Sequence, residues 1–217
     1  MKVKLISTTQ PALPLKRKGI KTAEDLIVYC ARVSNPSNQM NSETAPKLLK
    51  YLIKHKHWSP FEMANMCVEI KTSRAIAAQI LRHRSFSFQE FSQRYSSATQ
   101  LEPIEWRGQG KTNRQVGDEP LKMDPEALGA ITDLNNTALQ VYDILTEQGV
   151  AKECARMILP LTTQTTMYMS GSIRSWLHYV QVRATQETQK EHREIAYVIK
   201  GILIDSFPNT AEGLEWK

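Results

Sequence analysis

The sequence predicts an α+β fold in which an antiparallel β-sheet is packed by long helices. Three observations predict it. Short segments alternate apolar and polar residues at period two, the signature of half-buried strands. Longer segments carry apolar residues at helical spacing. The two kinds of segment follow one another without the regular βαβα alternation that a parallel sheet requires. The 217 residues, taken as one domain over 1–217, can bury a core that needs no disulfide or metal staple.

Val3–Thr8 alternates and reads as a strand. Thr22, with Asp25 three residues later, is a capping signature that opens a helix over Thr22–Arg32. Asn35–Asn41, with Pro36, is a polar loop. Leu48, Leu49, Leu52 and Ile53 define a helix over Glu43–Lys56, which His57-Trp58-Ser59-Pro60 breaks. Met66, Val68 and Ile70 share one face of a strand over Met66–Lys71. Ser73–His83 is a helix with Ile76, Ala77, Ile80 and Leu81 on its apolar side. Phe86–Tyr95 alternates and reads as extended. Glu102–Asp124, rich in Gly, Pro and charge, is the longest irregular stretch. Asp124 caps a helix over Pro125–Gln148 with Pro at its first position, and Gly149 ends it. A short helix over Lys152–Leu159 stops at Pro160. Thr163–Met169 is strand-like, and Ser172–Val182 and Glu187–Phe207 are helices.

Composition excludes several classes. No apolar stretch is long enough to span a bilayer, and no signal-peptide h-region follows the basic N-terminus. A soluble protein of the cytoplasm is expected, with no membrane partner. Cys30, Cys67 and Cys154 are odd in number and widely spaced, so they read as buried, unreactive thiols. The charge of +6, from 28 Lys and Arg against 22 Asp and Glu, favours an anionic ligand.

The basic residues concentrate in Arg82–Arg94. Arg82-His83-Arg84 suits an anion, because the planar guanidinium forks onto phosphate oxygens. The ordinary alternative is that basic side chains close a helix C-terminus. In an extended chain Glu90, Ser92 and Arg94 share one face, with Phe91 and Tyr95 anchoring the other. Gln79 lies one helical turn before Arg82 and His83.

These residues carry a resemblance. The run Arg82-His83-Arg84, then Glu90, Ser92, Arg94 and Tyr95, resembles the signature of the flavin-dependent thymidylate synthases. Ala31-Arg32-Val33-Ser34, Lys54–Glu62 (KHKHWSPFE), Cys154–Leu161 (CARMILPL), Ser172–Arg183 and Gln189–Glu191 resemble further segments of that family, in the same order. The resemblance implies the family's fold, a bound FAD, and methylation of dUMP to dTMP with methylenetetrahydrofolate as carbon donor and NADPH as reductant. It implies a homotetramer with shared active sites.

It also implies roles. Ser34, Ser59, Glu62, Arg82, His83, Arg84, Ser85, Ser172, Arg174 and His178 would contact FAD, with Glu90 bordering both ligands. Gln79, Arg82, Glu90, Ser92, Arg94 and Arg156 would hold dUMP, and Arg183 the uracil carbonyl region. His57 would stand beside the flavin where folate enters, with Trp58 next to it. Ser92 could be an attacking nucleophile or a positioning group, since a serine needs a base and Arg94 cannot be one. The sequence departs from the family at Ser172, where Asn is usual, and at Thr188-Gln189-Lys190-Glu191-His192, where Ala-Gln-Trp-Glu-Ile is usual.

Other readings stand beside this one. His55-x-His57 can suggest a metal, but no ligand set at metal spacing follows it, so no metal is expected. His192 reads as a surface helix residue. Phe86, Phe88 and Phe91 among basic residues could suit single-stranded RNA, but Glu90 sits within the patch and no nucleic-acid motif appears. A cysteine-dependent thymidylate synthase needs Pro-Cys-His, which is missing.

Overall fold

The computed structural model describes residues 1–216. Its centre is a four-stranded antiparallel sheet of β1 (Lys2–Thr8), β2 (Asn65–Ser73), β3 (Ser87–Glu90) and β6 (Gln164–Ser172), in the order β1-β2-β6-β3. The long pair β2 and β6 runs in unbroken register from Asn65↔Ser172 to Ser73↔Gln164. Met66, Val68 and Ile70 of β2 and Met167 and Met169 of β6 are buried on one face. Glu69 and Tyr168 oppose each other on the other face, which is partly solvated. The alternation expected of β2 is therefore realised, the strand expected near Thr163–Met169 is present as β6, and both run further than the sequence indicates.

Each central strand ends in a serine that caps the next helix. Ser73 accepts a hydrogen bond from the Ile76 N–H and opens α4 (Arg74–Ile80). Ser172 accepts from the Ser175 N–H and opens α7 (Ile173–Arg183). Such caps satisfy N–H groups that the helix itself leaves unpaired. The antiparallel pairing sends the two helices off opposite ends of the sheet. With α8 (Lys190–Ser206) they pack on its buried face. Trp176 of α7 is fully buried, and its indole N–H donates to the Met66 carbonyl at 2.9 Å.

The helices α2 (Ala23–Ala31), α3 (Ala45–Lys54) and α9 (Pro208–Gly213) complete the core. The expected capping box of Thr22 and Asp25 is present on α2. Glu24 of α2 is buried because its carboxylate accepts from the N–H groups of Asn209 and Thr210, closing the start of α9. A short helix α1 (Leu13–Arg17) and α9 lie where no helix is expected from the sequence. The 23-residue α5 (Pro125–Glu147) buries only Tyr142. It is followed by α6 (Lys152–Ala155) and a 3-10 turn over Arg156–Ile158.

Three expectations are corrected here. The stretch Glu102–Asp124 is not wholly irregular, because β4 (Arg107–Gln109) and β5 (Gly117–Pro120) pair as a hairpin. Cys154 is exposed and Cys30 and Cys67 are half-buried, so none is a fully buried thiol. Burial still raises the Cys30 and Cys67 thiol pKa values. Extended structure ends at Glu90, and Phe91 adds one more backbone bond to Thr166. The chain then turns, with the Tyr95 and Ser96 N–H groups donating to the Ser92 carbonyl. Tyr95 is 88% exposed and anchors nothing; Phe86 and Phe88 anchor this segment instead. No described helix is long and apolar enough to cross a membrane.

Candidate active site

Helix α7 organises the site. Arg174, His178 and Gln181 lie at helical spacing on one side of it. They line a pocket of about 410 Å³ with Trp58, Glu62 and Ser85. Arg174 is ion-paired with Glu62. Four of the expected flavin contacts, Glu62, Ser85, Arg174 and His178, are thus brought together by three separate chain segments. The pocket can take an aromatic ring system against Trp58 and offers a carboxylate, a guanidinium, an imidazole and a carboxamide around it.

A second cluster forms where α7 ends. Helix α4 stops at Ile80, three residues sooner than its sequence pattern suggests, and a tight turn folds His83 back onto α7. The His83 ring meets Tyr179 edge-on, with centroids 4.9 Å apart. The Arg183 Nε donates to His83 Nε2 at 2.8 Å. Burial first, then the charges of Arg183 and His178, push the His83 pKa down to about 4. His83 is therefore a neutral hydrogen-bonding ring and not a third cation of the Arg82–Arg84 run. Gln79 joins this cluster through His192, whose Nδ1 lies 3.3 Å from its Oε1.

His192 is the clearest correction. It is fully buried, not a surface residue, with its Nε2 3.0 Å from the Tyr179 hydroxyl. Burial, with the charges of Arg183 and His83, pushes its pKa down to about 3. Its position was legible in the spacing: His192, Ile195, Ala196, Ile199 and Leu203 form the buried stripe of α8. Tyr179, four residues before Arg183, was not singled out either.

The expected nucleotide residues are distributed. Glu90 accepts from Arg74 at 2.9 Å and from the Thr165 hydroxyl at 2.9 Å. It does not share a face with Ser92 and Arg94, because the chain turns after it. Arg94 pairs with Glu153 at 3.1 Å on the surface. Arg156 lines a separate cavity of about 230 Å³ with Arg74 and Gln93. There Arg74 Nε and Gln93 Nε2 are buried without a hydrogen-bond partner among the described residues. Ser34, His57, Ser59, Arg82, Arg84 and Ser92 are exposed, and no side-chain hydrogen bond engages them among the described residues. Ser172 is committed to capping α7. The His55 and His57 rings lie 6.1 Å apart, and no group of three metal-ligating side chains occurs among the described residues.

Comparison with known proteins places the chain in a family. The family model described as "Thymidylate synthase complementing protein" matches residues 18–209. The chain is 51% identical to the probable flavin-dependent thymidylate synthase of Paramecium bursaria Chlorella virus 1, over 100% of both chains. It is 48% identical to the flavin-dependent thymidylate synthase of Synechocystis sp. (strain ATCC 27184 / PCC 6803 / Kazusa), again over 100% of both. The crystal structure of a UMP/dUMP methylase, PolB from Streptomyces cacaoi, with 5-Br dUMP bound, superposes with a TM-score of 0.81. That match covers 99% of this chain and 94% of the other at 24% identity, and establishes a shared fold. From the family match and these two close relatives, the chain belongs to the flavin-dependent thymidylate synthase family of enzymes.

Proposed function

We propose that this enzyme forms dTMP from dUMP, with FAD bound, methylenetetrahydrofolate as carbon donor and NADPH as reductant. The observation that carries the reading is the arrangement along α7. Arg174 and His178 line the pocket near its start, and Arg183 meets His83 at its end. Nine helical steps lead from Arg174 to Arg183, about 14 Å at 1.5 Å per residue. One rigid element thus aligns a flavin-holding group with a pyrimidine-holding group.

The donor set fits FAD. Arg82 and Arg84 are exposed guanidiniums with no ion-pair partner among the described residues, suited to a diphosphate. Ser34, Ser59 and Ser85 add hydroxyls, and Trp58 offers a flat apolar surface. When bound, FAD supplies the hydride chemistry that side chains cannot. The pocket, at about 410 Å³, is near the small end of the range for ligand sites, which supports a site shared with a second subunit. Association of subunits, as in the homotetramer that the resemblance implies, is supported by α5, which leaves Leu134, Val141 and Ile144 exposed at helical spacing.

The chain's own residues do the rest. Arg183 places positive charge at the uracil carbonyl, where charge develops as C5 becomes nucleophilic. The orphaned donors of Arg74 and Gln93, beside Arg156, would be satisfied by phosphate oxygens. Glu90 is occupied by Arg74 and Thr165 and is not a free base for Ser92, which supports a positioning role for that serine. Three free cysteines fit the reducing cytoplasm.

The test is direct. The purified protein should be yellow, its flavin spectrum should bleach with NADPH, and the gene should rescue a thymidine-requiring strain. A colourless protein that cannot take up FAD would overturn the reading.

A further inference from the structure

A run of side-chain hydrogen bonds leads from the β4–β5 hairpin into the second cluster. Arg107 of the hairpin donates to Glu191 Oε1 at 2.6 Å. Gln189 Nε2 donates to Glu191 Oε2 at 2.9 Å. Gln79 Nε2 donates to Gln189 Oε1 at 2.6 Å. Gln79 Oε1 faces His192 Nδ1, and His192 Nε2 faces the Tyr179 hydroxyl. A carboxamide oxygen can only accept, so His192 carries its proton on Nδ1 and accepts from Tyr179 on Nε2. Every link then donates in one direction, towards Glu191, and successive links polarise one another.

We propose that His192 is a positioning residue for the nucleotide: opposite the Gln189–Glu191–Arg107 chain, it holds the Gln79 carboxamide in one orientation. The proposal rests on the reading that Gln79 contacts dUMP. Swapping the ends of that carboxamide would set its oxygen against the Gln189 oxygen, which the bond from Gln189 to the Glu191 carboxylate holds in place, and would force His192 into its other tautomer with Tyr179 accepting instead of donating. The oxygen–oxygen contact is repulsive, so the observed orientation is favoured. It leaves one N–H and one lone pair of Gln79 for the ligand. The histidine stays neutral because it is buried and lies in the field of the Arg183 charge, with His83, Tyr179 and Gln79 as its polar neighbours; its tautomer is set by the Gln79 oxygen, which can only accept. Glu191, in turn, stays ionised: burial raises its pKa, but the bonds from Arg107, its own backbone and Gln189 bring the net shift down.

The experiment is a spectral titration of the FAD-loaded protein with dUMP. His192→Phe keeps a ring and removes both nitrogens. It should weaken dUMP binding about tenfold, the loss of one buried hydrogen bond. Flavin content should match wild type, and kcat at saturating dUMP should fall less than the affinity. His192→Asn, which returns an N–H near the Nδ1 position, should recover most of the loss. Arg107→Gln, on the hairpin, should weaken binding in the same direction. If wild type binds dUMP and the variants bind it equally well, the proposal is overturned while the functional reading stands. His192→Asn as weak as His192→Phe would overturn it too, showing that ring packing alone mattered. Should His192→Phe not fold, His192→Asn and Arg107→Gln decide: unchanged affinity in Arg107→Gln refutes the part of the Gln189–Glu191–Arg107 chain, and in both refutes the proposal. Wild type that carries FAD yet does not bind dUMP overturns the functional reading and this inference together.

Discussion

Arg183 donates from its Nε to the Nε2 of His83 at 2.8 Å, joining residues 100 positions apart. The bond leaves the rest of the guanidinium fork for a ligand and holds the His83 ring against Tyr179. It ties the turn carrying Arg82–Ser85 to the end of α7.

Arg183→Ala should lose turnover and keep flavin, because Phe86 in the core still anchors the turn when the bond to His83 is gone. The expected fall in kcat is about 100- to 1000-fold, the range for removing a group that stabilises developing charge. Flavin absorbance per protein and dTMP formation measure the two effects separately. Loss of flavin with turnover retained would show that Arg183 serves the cofactor and not the pyrimidine.

Stability should decline on mild acidification. His83 and His192 have folded pKa values of about 4 and about 3, below the ordinary 6.5. Between those values and 6.5 the unfolded chain binds protons that the folded chain refuses. Stability is thus complete above 6.5 and falls as pH drops. For the fully buried His192 the limiting slope is about 1.4 kcal/mol per pH unit; the half-exposed His83 adds less. Urea denaturation between about pH 6 and about pH 5, above the range where Asp and Glu titrate, isolates the effect. His192→Phe should flatten the slope, whatever it does to overall stability. An equal slope in wild type and variant would mean that His192 is protonated in the folded state.

Two glycines should respond oppositely to alanine. A Cβ at Gly171 of β6 would stand 2.5 Å from Phe86 Cδ1. Gly171→Ala must push Phe86 away, at a cost of about 1–3 kcal/mol for overpacking. Because Phe86 follows directly on Arg82–Ser85, FAD retention should fall as well. At Gly201, inside α8, an added Cβ meets nothing within 4 Å. Gly201→Ala should stabilise by about 0.5–1 kcal/mol, the helix-interior cost of glycine. Thermal melts of both variants check the signs.

Elements that a local period or cap can specify are legible in the sequence. Thr22 and Asp25 form their capping box, and Met66, Val68 and Ile70 bury one face of β2. Asp124 and Pro125 start α5 as their residue types require. The ordered segments around Arg82-His83-Arg84 were enough to indicate the family. Tertiary structure alone decided how that run divides. A period of two continued past Glu90, but β3 stops there, so the chain turns and Tyr95 reaches solvent while Phe86 goes inside. His192 is polar, which suggests the surface, but its register in the α8 stripe puts it inside. Its burial is tolerable only because Gln79 and Tyr179, from two other helices, meet both ring nitrogens. Periodicity encodes which face of an element is apolar; it does not encode which distant faces meet. That meeting makes His83 a neutral acceptor for Arg183 and joins Gln79 to the hairpin through Gln189, Glu191 and Arg107.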